Sequence, residues 1–155
     1  MIGEELRLAP PAPALPPRLH VQETEFDWFA LDWNTEELSS VLPAAPENAI
    51  QIGAASVVQF TLKPAAEPIG FEVAVFEGTL GSADPSVAPA QLLDCLEVHG
   101  DCRLEQMQGE TQLVLENLAP GPHVLVINAR YFAPPKVNPD RVANEASWLV
   151  ELQPA

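Results

Sequence analysis

Proline constrains this chain more than any other residue type: 17 of its 155 residues are Pro. Proline fixes φ and has no N–H, so it breaks helix interiors and is excluded from central strands. Prolines spread along a whole chain therefore rule out a long-helix bundle or a coiled coil and favour a loop-rich β domain. Five of them, Pro10, Pro11, Pro13, Pro16 and Pro17, fall in one short run with Leu8, Ala9, Ala12, Ala14 and Leu15. Such a run favours the extended, internally unbonded polyproline II helix. We read residues 1–17 as an arm and 18–155 as one folded domain, which the 47% hydrophobic content is enough to give a core.

Past the arm, periodicity carries the reading. Residues 18 to 31 have strand composition, with Val21, Phe26, Trp28 and Phe29 among acids. Asn34-Thr35-Glu36-Glu37 resembles a capping box, so a helix of at most two turns is expected there, stopped by Pro43. Val58, Phe60 and Leu62 alternate with Gln59, Thr61 and Lys63, and Phe71, Val73 and Val75 with Glu72 and Ala74. Period two of this kind marks strands half buried on one face. Asp84-Pro85-Ser86 is a helix start, predicting a short helix that carries Leu92 and Leu93. Strands are expected at Arg103 to Met107 and Thr111 to Leu118 around Gly109. His123 to Phe132, with the run Val124-Leu125-Val126-Ile127, suits a central strand buried on both faces. Trp148, Val150 and Leu152 alternate through a last strand on which Leu149 interrupts the polar face. Seven or so short strands with no βαβ rhythm make an all-β chain, an antiparallel β-sandwich with one or two short helices.

Leu113 to Val126, which contains Leu118-Ala119-Pro120-Gly121 and then His123, resembles the late-strand corner of fibronectin type III and immunoglobulin-like modules. In those families the turn leads into a strand opened by an aromatic, usually Tyr, and His123 stands in that place. The resemblance implies an Ig/Fn3-like sandwich and a module that binds or spaces other molecules, without a catalytic site.

The formal net charge is −15, spread from Glu4 to Glu151. Nucleic-acid affinity comes largely from Lys and Arg neutralising phosphates, so nucleic acid and anionic membrane surfaces are poor partners. No apolar run reaches the length of a membrane span, which argues against membrane insertion. The start Met1-Ile2-Gly3-Glu4-Glu5 lacks the basic and apolar regions of a signal peptide. Two expectations follow: the native protein is not secreted, or a signal has been removed ahead of this start. There is no G-x-S-x-G, no H-E-x-x-H and no Gly-rich phosphate loop. His20, His99 and His123 lie far apart, so the chain reads as no enzyme, with no cofactor expected.

Four candidate sites remain. Pro13, Pro16 and Arg18 have the P-x-x-P-x-R form read by SH3-type grooves, against which stands a plain tether. Cys95, His99, Cys102 and Met107 are soft ligands, but the spacing fits neither the paired knuckles of zinc nor a cupredoxin. A Cys95–Cys102 disulfide or two buried thiols is the expectation, and no metal. Trp28 and Trp33 beside Asp27 and Asp32 would make a sugar-stacking platform if exposed, or core if not. The loop 133–144 holds Lys136 and Arg141, which with Arg130 form the one locally cationic spot. The leading expectation is a binding or structural module with a protein partner, placed outside the cytoplasm by its tether, Cys pair and module type. Two alternatives stand beside it: a subunit of a larger assembly or homo-oligomer docking through arm and loop, and a carbohydrate or small-ligand binder.

Overall fold

The computed structural model describes residues 15–21, 24–26, 28–33, 49–53, 57–78, 88–97, 100–118, 121–132 and 143–153. Among these the elements are β1 (Arg18–Val21), β2 (Thr24–Phe26), β3 (Ala30–Asp32), β4 (Ala49–Gly53), β5 (Val58–Lys63), β6 (Gly70–Glu77), β7 (Gln91–Asp94), β8 (Cys102–Met107), β9 (Glu110–Leu115), β10 (His123–Phe132) and β11 (Ala143–Gln153). One sheet has the order β2-β1-β5-β9-β8, the other β3-β11-β10-β6-β7, with β4 also on β11. The two sheets pack face to face around a single core, as the alternating patterns demand: a strand with one apolar face needs a second layer to bury it.

The alternation is obeyed residue by residue. Val58, Phe60 and Leu62 of β5 are buried while Gln59 and Lys63 face solvent. From β6, Phe71, Val73 and Val75 meet Leu125, Ile127 and Ala129 of β10 in register, and Trp148 and Val150 of β11 complete that inner face. β10 is central, bonded to β11 over its full length and to β6 over eight positions. Its second face is withdrawn from water at one end only: Val124 is buried, as are Leu149 and Glu151 of β11 on the same side, while Val126 and Asn128 are half-buried and Arg130 is exposed. The continuous apolar run is therefore buried on both faces only at its start. The indole Nε1 of Trp148 is enclosed with no hydrogen-bond partner among the described residues, a cost of ~1–3 kcal/mol against a large apolar burial.

The hairpin β8–β9 pairs Met107 with Glu110 across Gln108-Gly109. Gly109 stands at φ 81°, a conformation that a side chain would strain. The crossover between β5 and β6 is tied to this hairpin. Thr111 Oγ1 donates to Gln106 Oε1 at 2.8 Å, and Gln106 Nε2 donates to the Ala66 carbonyl at 3.2 Å. After β9, Asn117 takes a left-handed φ of 57° and its Nδ2 donates to Asp101 Oδ1 at 2.9 Å.

Several expectations change. Leu92 and Leu93 lie in strand β7, not in a helix: Leu93 stands opposite Val73 and packs on the core, so tertiary pairing outweighs the upstream helix-start signal. No helix occurs among the described residues, and the starts at Asn34 and Asp84 lie outside them. The sandwich is antiparallel except at β4, which runs parallel to β11 from Ala49–Leu149 to Gly53–Gln153. The segment of strand composition from residue 18 to 31 forms three short strands belonging to both sheets, β1 and β2 in one and β3 in the other. The long loop is shorter at its end, because Ala143 and Asn144 pair with Phe132 and Tyr131. The strand after Gly109 stops at Leu115.

Candidate functional site

At the N-terminal edge the end of the proline run is part of the folded body. Pro16 and Pro17 are buried, and Leu15 is exposed. The Pro17 carbonyl accepts a hydrogen bond from Trp28 Nε1 at 2.9 Å, and the Arg18 guanidinium lies 4.0 Å above the Trp28 ring. A cation over an indole face contributes about 0.5–1 kcal/mol when partly exposed. Of the P-x-x-P-x-R form, Pro16 and Arg18 are thus engaged by the folded body of this chain, Arg18 by its own Trp28, which corrects the picture of a free ligand for an aromatic groove. Pro13 lies outside the described residues.

Trp33 is fully enclosed, its ring 5.6 Å from that of Tyr131 and inclined by 59°. A ring inside the core cannot stack on a sugar, so Trp28 and Trp33 do not form a platform. Tyr131 is buried beside it, and burial pushes its phenol well above the ordinary value by disfavouring the charged form.

Cys95 follows β7 in one sheet and Cys102 opens β8 in the other. They form a disulfide with a Cα–Cα separation of 4.7 Å, and both are buried. The bond staples the two sheets where the chain crosses between them. Disulfide sulfurs are not thiolates, so the soft-ligand set of Cys95, His99, Cys102 and Met107 is dismantled. Met107 sits exposed at the other end of β8, and His99 lies outside the described residues.

Arg130 is exposed on the outer face of β10, opposite Gly70 and Glu145. Its guanidinium crosses Gly70 so closely that a Cβ there would stand 2.7 Å from Nη2. Lys136 and Arg141 lie outside the described residues, so the cationic spot is represented by Arg130 alone. On the outer face of the first sheet, Arg103 donates to both Glu116 and Glu105, which hold its guanidinium above the ordinary value. His20 Nε2 stands 3.9 Å from Glu25. The Arg103 pairs are exposed, and exposed pairs contribute little to stability.

Two features were not legible in the sequence. The Arg18–Trp28 contact joins residues on different segments with no shared periodicity. The open edge of β7 is set by which strand ends the sheet, a property of topology. Among the described residues no helix is long and apolar enough to cross a membrane. No family model matches the chain, and no curated protein or solved structure is similar to it at a significant level.

Proposed function

We propose that this chain is a non-catalytic immunoglobulin-like module that binds or spaces protein partners in an oxidising, extracytoplasmic setting. The observation that carries the reading is the strand order. β1, β5, β9 and β8 in one sheet, facing β11, β10, β6 and β7 in the other, follow the A-B-E-D and G-F-C-C′ orders of that architecture. His123 opens β10 in a buried position, the place an aromatic takes at the corresponding corner. The disulfide differs from the inter-sheet bridge of antibody domains, since it links β7 to β8 rather than the central strands, yet it favours the same compartment. Thiol titration of protein isolated from its source tests this. No reactive thiol before reduction and two after it is the expected result; two free thiols in the unreduced, denatured protein would remove the oxidising setting.

A further inference from the structure

We propose that the open edge of β7 is a docking strand for an extended, basic segment of a partner polypeptide. The inference rests on the binding-module reading above and names the surface and the chemistry of its partner. Among the described residues β7 ends its sheet and is paired only on its β6 side, from Glu72–Asp94 to Val75–Gln91. Cys95 N donates to the Phe71 carbonyl at 2.9 Å, which sets the phase of the ladder. Leu93 and Gln91 then turn their N–H and C=O towards β6, Leu92 turns both of its groups to the open side, and Asp94 offers its N–H there while its carbonyl accepts from Glu97 N at 3.4 Å. An added strand would find alternate donors and acceptors already aligned, the mode by which extended peptides augment a sheet.

The charges along this edge are acids of one sign beside an exposed apolar side chain. β8, the end strand of the other sheet, carries Arg103 and Glu105 joined in an ion pair, and such charges discourage pairing. β7 instead exposes Leu92 (63%), with Leu96 (45%) just beyond it. Leu92 prolongs an apolar row that runs across the outer face through Ala74, Val126 and Leu149. On the same face Asp94, whose Oδ1 accepts from Leu96 N at 3.0 Å, stands directly opposite Glu72, and both are exposed. Like charges facing across a strand pair are unfavourable, and Glu97 adds a third exposed acid nearby. A cation brought in by an added strand would relieve that repulsion. The fitting segment therefore places an apolar side chain beside Leu92 and Lys or Arg beside Asp94 and Glu72. A second copy fits less well, since each brings a formal charge of −15.

The test uses the full chain and a fluorescent octapeptide of alternating Lys and Val, with Lys-Ser and Glu-Val octapeptides as controls. The Lys-Val peptide is expected to bind and to slow hydrogen exchange at the Leu92 and Asp94 amides, while both controls bind at least about tenfold more weakly. Leu92→Pro, which deletes the outward N–H, and Leu92→Lys, which keeps it and adds a guarding charge, are each expected to weaken binding about tenfold. Circular dichroism checks their folding, and Leu92→Lys carries the test if Leu92→Pro unfolds. Equal binding of Lys-Val and Lys-Ser peptides, or unchanged binding by Leu92→Lys, overturns the proposal. So does a homodimer in light scattering that Leu92→Lys dissociates, because the edge would then belong to a second copy. These outcomes are independent of the thiol titration that tests the compartment.

Discussion

Tyr131 is the single tyrosine of the chain, and it is enclosed beside Trp33. Its phenol can therefore report the state of the core without interference from another residue. Burial raises its folded-state pKa above the value of about 10 that it has in an unfolded chain. Between these two values the folded protein holds a proton that the unfolded chain has lost, so stability falls as pH rises. The contribution is whole below pH ~10 and declines by about 1.4 kcal/mol for each pH unit above it, or ~2.7 kcal/mol by pH ~12. That loss is a large share of the 5–15 kcal/mol typical of a domain. The assay is urea unfolding between pH 8 and 12, with phenolate absorbance read in parallel. Phenolate is expected to appear only as the protein unfolds, and Tyr131→Phe to flatten the alkaline slope. A phenolate signal titrating near pH 10 in protein that circular dichroism shows to be folded would refute the burial argument and with it the inward placement of β10.

Replacing Cys95 and Cys102 together by Ala removes a closed loop of sequence separation 7, which chain-entropy reasoning sets at about 2.5 kcal/mol. The urea midpoint should fall by roughly 1 M, and an unchanged midpoint would mean that the bridge staples nothing. Trp33→Ala empties a site in the middle of the core and should cost about 3–5 kcal/mol by the same measurement. Arg18→Ala should cost only ~0.5–1 kcal/mol and shift the Trp28 emission to the red, since it uncovers the ring face without emptying the core. Gly109→Ala forces a side chain to φ 81° and should cost about 1 kcal/mol with little change in the fold, read as a lower melting temperature.

What the sequence by itself determined is local and periodic. The strands around Val58–Lys63, Phe71–Val75, His123–Phe132 and Trp148–Leu152 were legible because side chains alternate across a strand, so a buried face writes itself into every second residue. The Gly109 turn and the all-β class followed from the same signals and from prolines that exclude long helices. What only the tertiary structure decided is pairing between distant segments. Leu92 and Leu93 look alike in sequence, yet their place at the end of a sheet turns one inward to Val73 and leaves the other in solvent. Two cysteines fit a bridge or two thiols equally well until β7 and β8 bring them within 4.7 Å. Trp28 and Trp33 share one short stretch, but the first caps the chain's way into the domain under Arg18 and the second fills the core against Tyr131. Burial, edges and bridges are properties of the packed chain, because each depends on neighbours brought together by the fold.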